Sequence, residues 1–144
     1  RERMGNSIYG CDICQLVCPL NSEKRITKNP LFDTEINMIY PELRDIVSLS
    51  KKEFNSRFNN VALSWRGKNI IVRNAIIAIG NSKSNNYNDI LIEALESKSL
   101  MLRKYGAWAL ARIGSKESVE RLGSYIGDNE IGEEVKKLLD YYIQ

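Results

Sequence analysis

The three cysteines of this 144-residue chain, Cys11, Cys14 and Cys18, lie within one short stretch and are followed directly by Pro19. Closely spaced thiolates are ligands for iron–sulfur clusters and for zinc. The spacing C-x2-C-x3-C-P matches the end of a bacterial run, C-x2-C-x2-C-x3-C-P, that serves two clusters. In that run another cysteine would occupy position 8, where this chain has Ile8. A 4Fe–4S cluster takes four thiolates, so these three cysteines alone cannot complete one.

Other uses of clustered thiols fit the composition less well. A structural zinc site on three thiolates needs a histidine or a fourth cysteine, and the chain contains neither. A catalytic thiol would lack a histidine base. An odd number of cysteines in a single segment is not a disulfide framework, and it favours a reducing compartment. The spacing therefore predicts iron–sulfur ligation, with zinc as the nearest alternative.

Positive charge is concentrated in residues 51–83, although the whole chain has a net charge of only +3. The basic residues there are Lys51, Lys52, Arg57, Arg66, Lys68, Arg73 and Lys83, with the single carboxylate Glu53. Such a segment can bind a polyanion. It can equally be a solvated face whose charges are neutralised by carboxylates that folding brings near. No stretch approaches the roughly 18 apolar residues of a membrane helix, so no membrane partner is predicted.

The elements that would position these residues are helices. Residues 1–30 show no sustained periodicity and are predicted to form an irregular, cysteine-containing arm. In residues 31–60, the connecting segment, Ser50 and Glu53 have the spacing of a capping box, which predicts a helix from there to about Asn59.

Residues 61–144 contain a repeated pattern of paired amphipathic helices. An aliphatic residue followed by a base marks each unit, at 72–73, 102–103 and 135–136, with spacings of 30 and 33 residues. The first helix is expected to stop at Gly80 and Asn81. Small residues such as Ala75, Ala78 and Gly106 would let paired helices approach closely. The pattern predicts a short helical solenoid and an all-α fold.

Three parts of the chain together resemble a known family. The stretch GNSIYGCDICQLVCPLN is similar to the second ferredoxin-like motif of the epoxyqueuosine reductases, with Leu20 where tryptophan is usual. The stretch from Leu49 to Ser82 is similar to the family's F-x3-F, R-G and RN…GN pattern, carried here by Phe54, Phe58, Arg66, Gly67, Arg73, Asn74, Ala78, Gly80 and Asn81. The repeats are similar to the HEAT-like C-terminus of its longer members.

The resemblance implies a cytoplasmic enzyme that removes the epoxide oxygen from epoxyqueuosine in tRNA, using cobalamin, two 4Fe–4S clusters and an external electron donor. By similarity, Cys11 and Cys14 would ligate one cluster and Cys18 the other, with further cysteines upstream of this chain. The cobalamin domain and the proton donor would belong to the N-terminal part of the enzyme. No catalytic residue is therefore assigned here, and this chain alone is expected to be inactive. Asp12 is interpreted as a residue that either supports the cluster ligands from behind or caps the loop.

The repeats would help to hold the tRNA through its phosphates. The leading candidates for RNA contact are Arg66, Lys68 and Arg73, followed by Arg103 and Lys104. For Arg73 and Arg103, bracing carboxylates between repeats is an equal possibility.

Trp65 and Trp108 could stack on bases, although Trp108 is expected to pack between helices. Two other functions stay open. One is a role in another corrinoid-type reductase. The other is a zinc-binding helical scaffold for a protein partner.

Overall fold

A computed structural model describes residues 1–23, 28–30, 33 and 36–143. In these ranges the chain forms α-helices joined by turns and contains no strand, which confirms the all-α prediction. The helices are α1 (Ile13–Leu16), α2 (Ile36–Ile39), α3 (Leu43–Ser48), α4 (Lys51–Phe58), α5 (Lys68–Ser82), α6 (Asn88–Leu95), α7 (Leu100–Ile113), α8 (Lys116–Gly123) and α9 (Gly132–Tyr142). Short 3-10 turns span Glu2–Met4, Pro19–Asn21, Ala62–Arg66 and Asn85–Tyr87. Residue 31, where the connecting segment is predicted to begin, and Gln144 lie outside the described ranges.

Helix α4 begins with the predicted capping box. The Ser50 hydroxyl accepts a hydrogen bond from the Glu53 N–H (3.1 Å), and the Glu53 carboxylate accepts one from the Ser50 N–H (2.8 Å). These bonds lower the pKa of the Glu53 carboxyl below its ordinary value of 4.5. They satisfy N–H groups that the first turn of a helix leaves without partners. The helix ends at Phe58, one residue before the predicted end.

The helices from α5 onward form two rows. Helix α7 packs against α5 on one side and α9 on the other, so the first helices of successive units form one row. Helices α6 and α8 pack against α7 and against each other as the second row. One continuous apolar core joins the rows, with Ile76, Ile79, Leu91, Leu110 and Leu122 almost fully buried. Each helix pair covers apolar surface of the next, as expected of a solenoid.

The described part of the connecting segment is packed on the first repeat. Ile46 of α3 and Phe54 and Phe58 of α4 share a second buried cluster with Ile71 and Ala75 of α5. The two phenylalanine rings stack at 5.2 Å between centroids. This cluster fixes the position of α5 relative to the turn that precedes it.

Gly80 does not end its helix, contrary to expectation. Helix α5 continues to Ser82 and is followed by Lys83 with a left-handed backbone (φ 55°). Gly80 instead lies where α5 and α7 make their closest approach. A Cβ atom added at Gly80 would lie 2.7 Å from Trp108 Cζ3 and 3.0 Å from the Cα of Ala109. Trp108 is 3% exposed, so its predicted packing role is confirmed.

None of the helices in the described ranges has both the length and the apolar character needed to cross a bilayer.

Candidate cysteine arm and nucleic-acid interface

The three thiols lie on a short helix and the turns on either side of it. Cys11 precedes α1, Cys14 lies within it, and Cys18 has an extended backbone before the next 3-10 turn. All three thiols are free, with Cys11 and Cys14 exposed and Cys18 half-buried. Asp12 enters the helix with a left-handed backbone (φ 46°), and its carboxylate accepts a hydrogen bond from the Gln15 side chain (3.1 Å). The Asp12 carboxylate thus contacts a side chain of its own loop and caps no backbone N–H of α1, unlike the capping role interpreted from the sequence.

The cysteine arm fits part of a cluster site but not a whole one. In the described ranges, no three side chains of cysteine, aspartate or glutamate come together as a metal site. The apolar side chains between and after the cysteines face solvent: Ile13 is 60% exposed, Leu16 70%, Val17 73% and Leu20 92%. An apolar patch of this kind marks an interaction surface. The thiols suit iron–sulfur ligation only if further ligands come from outside this chain.

Residues 1–8, here called the N-terminal clasp, lie along helices α5, α7 and α9 and lead into the cysteines. Two asparagines of α5 bind the clasp backbone. Asn81 donates to the carbonyl of Gly5 (2.8 Å), and Asn74 donates to the carbonyl of Ile8 (2.7 Å). Only Tyr9 and Gly10 separate Ile8 from Cys11, so α5 directly positions the start of the cysteine arm.

The beginning of the clasp is held by charged and aromatic groups. Arg1 pairs with Glu134 of α9 (2.9 Å), and its guanidinium lies 4.5 Å from the centroid of the Tyr105 ring. The Glu2 carboxylate accepts hydrogen bonds from Arg112 of α7 (2.6 Å) and from the hydroxyl of Tyr142 of α9 (2.8 Å). Burial raises the pKa of Tyr142 above its ordinary value of 10.0, and the bond to the Glu2 carboxylate acts in the same direction.

Sequence reasoning missed the clasp. Asn74 was noted only as part of the RN…GN pattern and Asn81 also as a helix stop, and nothing local indicated that both amides face the chain's own first residues. Their spacing of seven residues, two turns of one helix, was the available signal.

Two of the predicted RNA contacts, Arg103 and Lys104, are engaged within the fold. Arg103 donates a hydrogen bond to the carbonyl of Leu95 (3.1 Å) and pairs with the carboxylates of Asp128 (2.5 Å) and Glu130. Only 14% of its side chain is exposed. Lys104 pairs with Glu134 (3.5 Å). Arg103 thus braces carboxylates between repeats, which was the alternative left open for it.

The other three predicted contacts lie together around the start of α5. In the described ranges, Arg66, Lys68 and Arg73 have no carboxylate within ion-pair distance. Arg73 donates to the side-chain oxygen of Asn74 (2.8 and 3.1 Å), which leaves its charge uncompensated. The Arg66 guanidinium lies 5.4 Å from the centroid of the Trp65 ring.

Two openings flank Arg66. The basic groove, of about 430 Å³, is lined by Lys51, Phe54, Asn55, Ser64, Arg66, Gly67, Lys68, Asn69 and Ile70. The junction cleft, of about 590 Å³, lies between the clasp, the beginning of the cysteine arm and α5. It is lined by Met4, Ser7, Ile8, Tyr9, Gly10, Cys11, Trp65, Arg66, Ile70, Arg73 and Asn74. The fold therefore places Arg66, Arg73 and Cys11 around one cleft.

Acid is expected to weaken the contact between α7 and the start of α9. The backbone N–H groups of Glu130 and Ile131 lower the pKa of the Asp128 carboxyl below its ordinary value of 3.8, and Arg103 adds to the effect. A carboxyl with a lowered folded pKa stabilises the fold fully above its unfolded pKa and loses this contribution as pH falls through the folded pKa. The free energy of unfolding, measured in urea, should decline as pH falls below about 3.8 and decline less in Asp128→Asn. If the free energy of unfolding falls equally with pH in the unchanged protein and in Asp128→Asn, Asp128 is not the group responsible.

The chain was compared with known proteins. A family model described as PBS lyase HEAT-like repeat matches residues 102–128, which include all of α8 and most of α7. An uncharacterized protein of Geobacillus stearothermophilus is 37% identical over 137 residues, covering 94% of this chain and 63% of that protein. The epoxyqueuosine reductase of Bacillus subtilis is 36% identical over 137 residues, covering 94% of this chain and 35% of that enzyme.

Similarity in structure extends over the same residues. A crystal structure of an epoxyqueuosine reductase with a tRNA-Tyr epoxyqueuosine-modified tRNA stem loop superposes with a TM-score of 0.90 at 33% identity. The match covers 99% of this chain and 39% of the crystallised one. The chain thus spans little more than a third of the length of these reductases, and the likeness includes both the cysteine arm and the helical repeats.

Proposed function

This chain is homologous over nearly all of its length to one part of the epoxyqueuosine reductases, and we propose that it is the C-terminal part of such an enzyme, reducing epoxyqueuosine to queuosine in tRNA. One observation carries the proposal. The superposition at a TM-score of 0.90 includes the cysteine arm together with the repeats that clasp it. Helical repeats alone occur with many functions. A likeness that extends over the cysteine arm as well as the repeats is far more specific than one limited to the repeats.

The role of this chain in the reaction is to hold part of an electron relay. Cys11 and Cys14 would supply thiolates to one 4Fe–4S cluster and Cys18 to a second, the remaining ligands coming from elsewhere in the enzyme. The clusters and a cobalamin bound mainly outside this chain supply the redox chemistry. The chain's own contribution is positional, because Asn74 and Asn81 fix the segment that leads into Cys11. The exposed apolar side chains of the arm would pack against the cobalamin domain.

The second role is to hold the tRNA. In the proposed complex, Arg66, Lys68 and Arg73, which form no ion pair in the described ranges, face phosphates of the stem loop. We place them ahead of Arg103 and Lys104, whose charges are already paired with Asp128, Glu130 and Glu134. A cytoplasmic location suits both roles, because tRNA and reduced thiols are found there. An external protein or small-molecule donor would deliver the electrons.

The decisive measurement is iron and acid-labile sulfide in the full-length enzyme, purified without oxygen. We expect about eight of each per chain, which corresponds to two 4Fe–4S clusters. Because Cys11 and Cys18 are assigned to different clusters, Cys11→Ala and Cys18→Ala should each leave about four irons and the double variant almost none. Gln15→Ala, in the same loop, is the control and should retain the full content.

Zinc in place of iron would contradict the proposal and favour the scaffold interpretation. Equal iron in the single and double cysteine variants would show that both thiols serve one cluster. Full iron without activity on tRNA that carries epoxyqueuosine would favour another corrinoid-type reductase.

A further inference from the structure

Trp65 is a large apolar side chain that the fold leaves in solvent. It lies on the 3-10 turn Ala62–Arg66, which packs between α4 and α5, and its side chain is 83% exposed. The other tryptophan, Trp108, is 3% exposed. Burial of an indole is strongly favourable, so folding does not account for the exposure of Trp65. The turn that carries Trp65 nevertheless packs against α4 and α5, so the backbone of Trp65 is held in place.

We propose that Trp65 stacks on an unpaired base of the bound RNA, in the junction cleft. The inference rests on the proposed function and adds a specific subsite to it. Aromatic side chains next to cations are the usual platform for single-stranded nucleic acid, because every base has a π-face and carries a phosphate beside it. The Arg66 guanidinium, 5.4 Å from the ring centroid, lies against one face of the indole. At 83% exposure, the remaining surface of the ring is free to receive a base.

The charge of the cleft selects an anionic occupant. Arg66 and Arg73 both line it, and among the residues that the structure describes no carboxylate does. Other strongly exposed aromatic side chains of the described ranges have carboxylates in the openings that they line. Tyr40 lines one with two carboxylates and one base (Glu42, Asp45 and Arg57), besides an apolar opening shared with Tyr9, and Tyr141 lines one with three glutamates and two lysines (Glu130, Glu133, Glu134, Lys104 and Lys137). Trp65 thus combines exposure with uncompensated positive charge, which fits a nucleotide better than an acidic or apolar protein segment.

The size and position of the cleft support the same occupant. Its volume of about 590 Å³ is within the range of small-ligand pockets, roughly 300–1,000 Å³. Tyr9, 44% exposed, lines the same cleft and offers a second aromatic surface. Cys11 also lines it, so a base held by Trp65 would lie next to the first thiol of the cysteine arm. Paired bases of a duplex stem cannot enter such a cleft, whereas an extruded base of a loop can.

The test is binding of a tRNA stem loop to the full-length enzyme carrying Trp65→Ala, Trp65→Phe or Tyr40→Ala. We expect Trp65→Ala to weaken binding roughly tenfold, as loss of one stacked base does. Trp65→Phe should restore most of the affinity, because a smaller ring still stacks. Tyr40→Ala, an exposed aromatic beside carboxylates, should bind like the unchanged enzyme. Since no charge is removed, the salt dependence of binding should stay the same in Trp65→Ala.

A second readout identifies the stacked base. Stem loops with 2-aminopurine at single loop positions should include one whose fluorescence is quenched on binding and recovers in Trp65→Ala. Unchanged affinity and no recovery in Trp65→Ala would overturn the subsite. Unchanged affinity together with loss of iron would overturn it too, by showing that Trp65 packs against another domain. The proposed function would survive either result, because it depends on iron content and on activity.

Discussion

Reversing the charges of Arg66 and Lys68 together, to glutamate, should weaken binding of tRNA by the full-length enzyme roughly 100-fold at moderate salt, about tenfold for each reversed charge. Both cations line the basic groove and have no carboxylate within ion-pair distance in the described ranges, although Lys68 lies close enough to Glu53 to help lower the pKa of that carboxyl. Glutamates at these positions would repel the phosphates that the cations attract. Each lost phosphate contact lowers the slope of log affinity against log salt concentration by about one unit. Loss of two contacts should therefore make this slope shallower by about two.

The matched control reverses two charges elsewhere. Lys98 and Lys116 are exposed and lie at the second row of helices, outside the basic groove and the junction cleft. Lys98→Glu with Lys116→Glu makes the same change in net charge and should weaken binding far less. Iron content should be unchanged in both double variants. Equal loss of affinity in the two would mean that overall charge, rather than the groove, governs binding. Full affinity after reversal at Arg66 and Lys68 would refute the groove assignment.

Gly80→Leu should lower the free energy of unfolding by about 3 kcal/mol, near the upper end of the cost of overpacking a core. Even the first added carbon would lie 2.7 Å from the Trp108 ring and 3.0 Å from the backbone of Ala109. The backbone of α7 cannot yield without moving Leu110, which is fully buried. The helix propensity of leucine is more favourable than that of glycine by less than about 1 kcal/mol, so this gain offsets only part of the cost of the clash.

Gly123→Leu is the corresponding control. Gly123 ends α8, is exposed, and would have no atom within 4 Å of an added Cβ. Its replacement should leave stability unchanged or raise it by less than about 1 kcal/mol. Urea unfolding followed by circular dichroism would compare the two variants. Similar stabilities would show that α5 and α7 do not need glycine at their crossing.

The features that could be predicted from the sequence are those that depend on residues close together along the chain. The capping box of Ser50 and Glu53 formed as expected because its atoms lie within one turn. The paired helices follow from apolar periodicity. Gly80 was misread because a glycine near a helix end usually stops it, whereas here the partner helix α7 determines its role.

For the candidate site, the cysteine spacing predicts iron–sulfur ligation and the basic segment contains Arg66 and Lys68, and both assignments stay predictions. Which cations stay uncompensated could not be predicted, because Arg103 meets Asp128 and Glu130 only after the third unit folds back on the second. The clasp was equally hidden, since its contacts join residues 66 to 140 positions apart.

The clasp can dock completely only after α9 has been made. Cys11, Cys14 and Cys18 are synthesised before helices α5, α7 and α9, whose side chains fasten residues 1–8. Of these side chains, Glu134 and Tyr142 are made last. At about 5–20 residues per second, roughly 6–25 s separate the emergence of Cys18 from that of Tyr142. Throughout this interval the thiols are present while the surface that holds their arm is incomplete. The arm of a newly made chain is therefore undocked throughout this interval, and translation speed sets how long the interval lasts.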